Sequence, residues 1–354
     1  NESEPLSDVS VYIQNGKIFN IDKNIDVSNS VEAQIIDGDN KFMLPGFIDM
    51  HTYLFANGFK KEDNMKNPLS THFFNGIINM HDTIDAGVTT VRDCGLADIG
   101  AKMAQKKGLF PSPKMLLSVT PLSITGGHFD LTFNSGFNMG IKYPGLPNPL
   151  CDGVENVIRK TREVFRARAD FIKVMVTGGA LSENDSSLYP QFNLKELIAI
   201  VKEAKMRKSK VAAHAHGLEG IKNAFKAGVN SIKHGTYIDK SLAKLMAKKG
   251  TPIIPTIMVI DTLFKNGNYL DDEKKAKVKE LNKVQKENKI IAYEEGVKMF
   301  MGSDSGVIPH GHNLEELKFF VDLGMNSSEA IAAGTIEPAK FLGIDDKIGS
   351  IEPM

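Results

Sequence analysis

The stretch KVAAHAHGLEGIKNAFKAGVNSIKHG, residues 210–235, contains one complete strand, helix and strand unit. Its outer segments, KVAAHAH (210–216) and SIKHG (231–235), are short runs dominated by apolar residues, which is typical of strands buried on both faces. The segment between them, LEGIKNAFKAG (218–228), has apolar residues at helical spacing with lysine and glutamate around them. Two buried strands joined by a helix predict parallel strand pairing.

The same alternation runs along most of the chain. The strand candidates are LPGFIDMH (44–51), TTVRDCG (89–95), KMLLSVTPL (114–122), DFIKVMV (170–176), KVAAHAH, SIKHG, TPIIPTI (251–257) and KMFMGSD (298–304). The helix candidates are GVENVIRKTREVFRARA (153–169), NLKELIAIVKEAKMRK (193–208), LEGIKNAFKAG, KSLAKLMAKKG (240–250) and DEKKAKVKELNKVQKENKIIAYEEG (272–296). Eight alternations predict an α/β fold with a closed (β/α)₈ barrel of the TIM type. An open doubly wound sheet shows a similar order of strands, but MHTYLFANGF (50–59) lacks the glycine-rich turn of a nucleotide-binding sheet.

Composition limits the classes of partner. The 354 residues include 43 basic and 43 acidic side chains, so the net charge gives no reason to expect a nucleic acid or an anionic membrane as partner. No apolar run approaches the ~20 residues that cross a bilayer. Cys94 and Cys151 are too few for a disulfide framework. A small-molecule substrate fits these observations best.

Polar residues that can bind a metal stand in or at the ends of five predicted strands: His51, Lys173, His214, His234 and Asp304. Because the carboxyl ends of parallel strands meet at one rim of a barrel, we expect these side chains to converge. Imidazole nitrogens and carboxylate oxygens are the usual ligands of zinc. The sequence therefore predicts a metal site on this rim.

Lys173 lies within the otherwise apolar strand DFIKVMV, where an unpaired ammonium group is strongly disfavoured. One explanation is a salt bridge to Asp170 or to another nearby carboxylate. The other is that the buried amine has reacted with carbon dioxide to give a carbamate, an anionic ligand with two oxygens that can bridge two ions.

These segments resemble a known family. LPGFIDMH, FIKVMVTGG, VAAHAHG, IKHGTYID and GSDSG stand in the order and spacing of the amidohydrolase superfamily. TTVRDCG, SITGGH and the ending HGHNLEELKFFVDLGMNSSEAIAAGTIEPAKFLG resemble the branch that contains imidazolonepropionase, prolidase-like Xaa-Pro dipeptidases, arginine carboxypeptidases and ochratoxin-type amidases. The resemblance extends from about residue 10 to the end of the chain.

The resemblance implies a role for each site residue. The expected cofactor is one or two Zn²⁺ ions. His51 belongs to the first metal site, Lys173 is an N6-carboxylysine that bridges the two sites, and His214 and His234 hold the second ion. Asp304 is a ligand and proton shuttle, and His128 in TGGH polarises the substrate carbonyl. Tyr237 and His216 are expected to contact the substrate. In the mechanism this implies, the metal lowers the pKa of a water, Asp304 takes the water proton and returns it to the leaving nitrogen, and an amide bond is cleaved.

Relatives of this branch carry a small β-sandwich beside the barrel. VSVYIQNGKIFNI (9–21) followed by AQIIDGDNKFML (33–44) alternates apolar and polar residues around an Asn-Gly turn signal, as a hairpin does. We therefore assign residues 1–42 to part of the sandwich, 43–345 to the barrel and 346–354 to the start of a return to the sandwich. We expect this sandwich to be incomplete at the ends.

The chain departs from the family at one ligand. The strand-one motif His-x-His reads His51, Thr52, Tyr53 here, and a neutral phenol is a poorer ligand than imidazole. Side chains at i and i+2 of a strand share a face, so Tyr53 should still reach the first metal. Three outcomes stay open: two metals with an altered first site, one metal in the second site, or little activity.

The favoured function is hydrolysis of an amide or peptide C–N bond in a dipeptide or an N-acyl amino acid. The alternatives are a cyclic amidase like imidazolonepropionase, and a barrel that binds a metal or ligand without catalysis. Loops at 129–150 and 180–192 are expected to select the substrate. A homo-oligomer is possible in this branch. A cytoplasmic location is expected, or an exported one if a signal peptide preceded Asn1.

Overall fold

The structure is a computed structural model that describes residues 5–25, 34–39, 41–58, 66–182 and 185–353. Its strands are β1 (Ser10–Gln14), β2 (Lys17–Asp22), β3 (Phe47–Thr52), β4 (Val88–Asp93), β5 (Lys114–Leu117), β6 (Ile172–Met175), β7 (Val211–Ala215), β8 (Ser231–His234) and β9 (Ile253–Ile254). Its α-helices are α1 (Leu69–Asp85), α2 (Ile99–Lys106), α3 (Val154–Arg166), α4 (Leu194–Met206), α5 (Leu218–Ala227), α6 (Lys240–Lys249), α7 (Ile257–Asn266), α8 (Asp272–Glu294), α9 (Glu316–Asp322), α10 (Ser327–Gly334) and α11 (Ile336–Leu342).

Strands β1 and β2 form the predicted antiparallel hairpin. Asn15 and Gly16 both have positive φ, 52° and 73°, as a two-residue hairpin turn requires. The stretch 33–44 forms no strand in its described part, and residues 33 and 40 lie outside the described ranges. Residues 346–353 likewise contain no strand, although Ile348 packs against the buried side chains of Ile48 and Met50.

The remaining strands pair in parallel, as predicted. One sheet has the order β3, β4, β5 and the other has the order β6, β7, β8, β9. Two sets of bridges link the sheets. Leu122, beyond β5, pairs in parallel with Val174 of β6. On the other side, Met299 pairs with Ile253 of β9, and Ser305 pairs with Thr52 of β3.

Three predicted strands are shorter than expected by five residues or more. KMFMGSD forms one isolated bridge, at Met299, instead of a continuous strand. In TPIIPTI the strand is confined to Ile253–Ile254, because Pro252 and Pro255 have no N–H to donate and α7 begins at Ile257. KMLLSVTPL ends as a strand at Leu117, since Val119 turns the backbone to a φ of 63°.

The five predicted helices are present as α3, α4, α5, α6 and α8, with ends that differ by three residues or fewer. Side chains cap the starts of α4, α6 and α8. Asn193 and Glu196 form a capping box at α4, and the Asp239 side chain accepts from Leu242 N–H at α6. Among the described residues, no helix combines the length and apolarity needed to cross a membrane.

Candidate functional site

The predicted convergence of side chains is observed. The candidate ligands come from β3, β6, β7, β8 and the segment after Gly302, and none has more than 7% of its surface exposed: His51, Lys173, His214, His234 and Asp304. Backbone hydrogen bonds connect the most distant of these segments, because Asp304 N–H donates to the His51 carbonyl at 2.7 Å.

Three imidazoles form the first donor set. Ligand nitrogens of His214, His216 and His234 lie within 4.8 Å of one another. Nδ1 of His216 is 2.8 Å from the Thr236 hydroxyl, and Nδ1 of His234 is 2.7 Å from the Thr256 hydroxyl. These contacts fix both rings and leave Nε2 of each ring for a ligand.

The second donor set is His51, His234 and Asp304, whose ligand atoms also lie within 4.8 Å of one another. His51 Nε2 is 3.2 Å from Asp304 Oδ1 and 3.3 Å from Lys173 Nζ. His234 belongs to both donor sets. The two sets therefore form one continuous cluster, with Lys173 beside it.

Burial sets the charge state of these groups. It lowers the pKa of all four imidazoles, assisted by the neighbouring cationic groups, so the rings are neutral near pH 7 and carry lone pairs: His51, His214, His216 and His234. Burial likewise lowers the pKa of Lys173 and raises the pKa of Asp304 to about 7.

The donor set fits a divalent metal ion. His51 Nδ1 and Asp304 Oδ1 are buried and lack a hydrogen-bond partner within the described part of the chain. Buried polar atoms without a partner are costly, and a cation would satisfy the carboxylate oxygen. Neutral imidazoles with a carboxylate are a ligand combination that zinc accepts.

Backbone strain coincides with the cluster. His234 and Asp304 have φ values of 65° and 59°, in the left-handed region that residues with a Cβ seldom adopt. Each such residue costs about 1–3 kcal/mol and persists only where its surroundings enforce it. The strain places both side chains at the point where their strand segments end.

The structure rules out Asp170 as the partner of Lys173. Asp170 instead binds Lys102, with Oδ1 2.7 Å from Lys102 Nζ, and accepts the Leu117 N–H. Asp170 lies before the first residue of β6, at the amino-terminal end of the strand, whereas the ligand cluster lies toward the carboxyl ends of the strands. The described ion pairs include none that involves Lys173, so this buried amine has no carboxylate salt bridge among them.

Tyr53 lies next to His51, as expected for positions i and i+2, and the two ring centroids are 5.6 Å apart. The phenol is 5% exposed. Burial raises the pKa of Tyr53, with Cys94 and Asp304 adding to the effect. The protein environment by itself therefore favours the neutral phenol, which is the weaker form of this ligand.

A pocket opens beside the cluster. Its polar lining includes Tyr53, His128, His216 and Asp304. Its apolar walls come from both loops predicted to select the substrate, from Leu96 and Met175, and from α7: Phe129, Leu131, Met139, Ile141, Leu181, Val259, Ile260 and Leu263. His128 stacks on His214 with a centroid distance of 4.3 Å, so the predicted catalytic histidine borders the donor cluster.

Of the two residues predicted to contact the substrate, His216 lies in the described pocket lining and Tyr237 does not. His216 lines the pocket, but its ring also belongs to the first donor set, whereas the family resemblance implied His214 and His234 as the ligands of the second ion. Tyr237 is absent from the described pocket lining. Its hydroxyl donates to Glu280 of α8 at 2.7 Å, and its ring packs against the buried cluster that includes Val259 and Ile260 of the pocket wall. A contact between Tyr237 and the substrate stays a prediction.

Several site residues escaped the sequence analysis. Thr236 and Thr256 orient histidines of the donor sets, and Ser182, Asp185 and Gln191 surround His128. The three residues around His128 lie within the predicted substrate loop 180–192. The available signal was the polar run SENDSS, residues 182–187, which follows Gly178 and Gly179, but it did not indicate which histidine the loop contacts.

Comparison with known proteins identifies the family. The sequence profile of the amidohydrolase family matches residues 42–353. Ochratoxinase of Aspergillus niger is 33% identical over 319 residues, which is 85% of this chain and 65% of the relative, so the chain spans about two thirds of that protein.

Solved structures with a similar fold include a dipeptidase and a prolidase. A Xaa-Pro dipeptidase with methionine in its active site has 32% identity and a TM-score of 0.84, covering 98% of this chain and 86% of its own. A prolidase in complex with N-methylphosphonate-L-proline has 30% identity and a TM-score of 0.88, covering 97% and 85%. The protein belongs to the amidohydrolase family.

Proposed function

We propose that this protein is a metal-dependent hydrolase that cleaves an amide or peptide C–N bond of a small substrate, a dipeptide or an N-acyl amino acid. The observation that carries the proposal is the pair of overlapping donor sets sharing His234, with a pocket directly beside them. Similarity to ochratoxinase and to the two dipeptidase structures supports an amide as the scissile group. The largely apolar pocket walls favour a substrate with an apolar side group.

In this proposal His51, His214, His234 and Asp304 would hold zinc, with His216 as a further donor. Lys173 would contribute as a carbamate. Carbamate formation joins Lys173 Nζ to the carbon of CO₂ and releases one proton, and it requires a neutral amine. Complete burial supplies that condition, because it lowers the pKa of Lys173.

A bound divalent ion would supply Lewis acidity, which polarises a carbonyl and makes water more acidic. The protein's own groups handle the protons. Asp304 accepts one proton from water as the new C–O bond forms, and it returns that proton to the nitrogen as the C–N bond breaks. His128 contacts the substrate amide from the side of the pocket formed by the loop 180–192.

We also propose that the bridges at Leu122, Met299 and Ser305 join the two parallel sheets into one closed (β/α)₈ barrel. In this interpretation residues 43–345 form the barrel, and the β1 and β2 hairpin belongs to a small β domain within residues 1–42. The proposal explains why the first and last barrel segments exchange hydrogen bonds.

Metal analysis combined with hydrolysis tests the function. The protein is stripped with a chelator, reloaded with Zn²⁺, and incubated with a panel of dipeptides, N-acyl amino acids and cyclic amides. We expect hydrolysis of an apolar N-acyl amino acid or dipeptide by the reloaded protein and none by the stripped protein. Zinc-loaded protein that leaves the whole panel intact would contradict the proposal and favour a binding function, for which the change to Tyr53 is the structural reason.

A further inference from the structure

A series of polar contacts begins at Nδ1 of His128 and runs through Ser182 to Asp185. The His128 Nδ1 atom is 3.0 Å from Ser182 Oγ, and the Ser182 hydroxyl donates to Asp185 Oδ1. The second carboxylate oxygen of Asp185 is 3.8 Å from His128 Nδ1 and accepts a hydrogen bond from Gln191 Nε2 at 2.9 Å. The Asp185 side chain is 7% exposed, so its carboxylate is largely shielded from solvent.

The protons in this series of contacts can be assigned by counting donors. A carboxylate only accepts, and a serine hydroxyl has a single proton. Since the Ser182 proton points to Asp185, Ser182 Oγ has only lone pairs to offer His128. The Gly179 N–H also donates to this oxygen, at 3.3 Å. His128 must therefore carry its proton on Nδ1, and in the neutral ring Nε2 is left with a lone pair.

The backbone of TGGA, residues 177–180, is shaped around these side chains. A Cβ added to Gly179 would lie 2.0 Å from Cε1 of His128, and a Cβ added to Gly178 would lie 2.5 Å from Cγ of Asp185. Only glycine permits the imidazole and the carboxylate to approach the backbone this closely. The paired glycines thus hold the two side chains on one side of the pocket.

The side chains of Gln191 and Lys277 make further contacts that hold the loop 180–192 beside His128. The Gln191 side-chain carbonyl accepts the His128 backbone N–H at 3.0 Å, so Gln191 contacts both His128 and Asp185. Lys277 of α8 donates to the carbonyl of Ser182 at 2.9 Å and to that of Asp185 at 2.8 Å. Helix α8 therefore fixes both residues that orient the histidine.

We propose that Asp185, acting through Ser182, is a positioning residue that fixes His128 in its Nδ1-protonated form and presents Nε2 to the substrate. The assignment of a substrate to His128 rests on the proposed function, whereas the protonation pattern does not. The neutral ring then accepts a hydrogen bond at Nε2, for example from an amide N–H.

The protonation pattern can be measured without substrate or metal. Nitrogen-15 NMR of metal-free protein labelled at histidine distinguishes protonated from unprotonated ring nitrogens, and the His128→Gln variant assigns the signal. We expect a protonated Nδ1 and an unprotonated Nε2. In Asp185→Asn the new amide N–H can donate to Ser182 Oγ, which frees the serine hydroxyl to donate to His128, so the Nε2-protonated form should increase.

The matched control is Asp152→Asn. Asp152 holds the segment that precedes His128, accepting from Thr125 N at 3.0 Å and Thr125 Oγ1 at 2.7 Å, but it does not contact His128 in the described structure. Its His128 signal should match that of the unmodified protein. An Nε2-protonated His128 in the unmodified protein, or the same signal with and without the Asp185→Asn change, overturns the proposal even if the variant is less stable.

Kinetics then test the role. With a substrate from the panel, Asp185→Asn should lower kcat by on the order of 10-fold or more while KM changes by less than about threefold, because an orienting carboxylate acts on the reacting ring more than on binding. Asp152→Asn should keep kcat within about twofold of the unmodified protein. If no panel member is hydrolysed, the proposed function fails while the NMR result still decides the positioning. A changed NMR signal with unchanged kcat would overturn the catalytic part of the proposal alone.

Discussion

The imidazole rings of His216 and His234 are stacked, with centroids 4.4 Å apart and planes only 11° from parallel. His234 also lies 5.2 Å from His51, centroid to centroid, so it connects two groups of possible ligands. A residue shared between two donor sets should matter more to metal binding than a residue that belongs to one of them.

We expect His234→Ala to weaken zinc binding by at least ~100-fold, and His216→Ala to weaken it less, because only His234 belongs to both donor sets. Metal content after dialysis against a graded series of chelator concentrations measures the difference. His81→Ala is the matched control, since that histidine is about half exposed on α1 and pairs with Asp85. Equal losses in His234→Ala and His81→Ala would contradict the assignment.

The place of Tyr53 in the first site can be tested by two substitutions. Tyr53→His restores the His-x-His pattern, and we expect it to increase the zinc bound per chain because imidazole is a better ligand than a neutral phenol. Tyr53→Phe removes only the hydroxyl. If Tyr53 is not a ligand, zinc content in Tyr53→Phe should equal that of the unmodified protein, whereas a phenolate ligand predicts a loss. Elemental analysis of the three proteins distinguishes these cases.

Gly179 offers a steric test of the His128 position. Gly179→Ala should displace the ring and lower kcat by ~10-fold or more, since the new methyl group would overlap the imidazole and overpacking costs about 1–3 kcal/mol. Gly38→Ala is the control because a Cβ there meets no atom within 4 Å. Steady-state kinetics measure both variants. Unchanged kcat in Gly179→Ala would show that hydrolysis does not depend on this ring position.

Lys289 predicts a particular dependence of stability on pH. Its side chain is 1% exposed and donates to the Gly235 carbonyl at 2.8 Å, and burial lowers its pKa from 10.5 to about 7. Between pH 7 and 10.5 the unfolded chain therefore binds more protons at this lysine, so its contribution to stability rises with pH. The contribution is complete above pH 10.5 and is lost as the pH falls through about 7.

Replacing Lys289 with methionine should remove this contribution and flatten the plot of unfolding free energy against pH by up to about 1.4 kcal/mol per pH unit in that range. Urea unfolding of metal-free protein between pH 7 and 10 measures the slope. Lys286→Met on the same helix is the control, because Lys286 is largely exposed and pairs with Asp322 at 3.8 Å. A slope that is the same for both variants would refute the prediction.

The sequence predicted the parallel strands because buried strands appear as continuous apolar runs, and it predicted the ligand cluster because strand ends of a parallel sheet meet on one side. His51 and Asp304 could be placed together in this way although 253 residues separate them. Strand lengths were less predictable, since Pro252, Pro255 and the turn at Val119 shorten segments whose composition remains apolar.

The surroundings of the site could not be predicted in the same way. Ser182 lies 54 residues from His128, and Glu280 lies 43 residues from Tyr237, and no periodic pattern links either pair. The expectation that Tyr237 contacts the substrate rests on the family resemblance and stays a prediction. The structure shows its hydroxyl donating to Glu280 of α8, and nothing near residue 237 in the sequence indicates a contact with this helix.

The hydrogen bonds that join Asp304 to His51 and Ser305 to Tyr53 have a consequence for biosynthesis. Since the last of these segments leaves the ribosome some 250 residues after the first, a nascent chain cannot assemble the complete donor cluster before the segment at Asp304 has been made. If the cluster binds an ion as proposed, binding would stabilise only the fold in which the cluster is complete, by about 2.7 kcal/mol when free ion exceeds the dissociation constant 100-fold. In addition to its proposed role in catalysis, the metal would thus stabilise the native fold selectively, over nascent chains in which the donor cluster is incomplete.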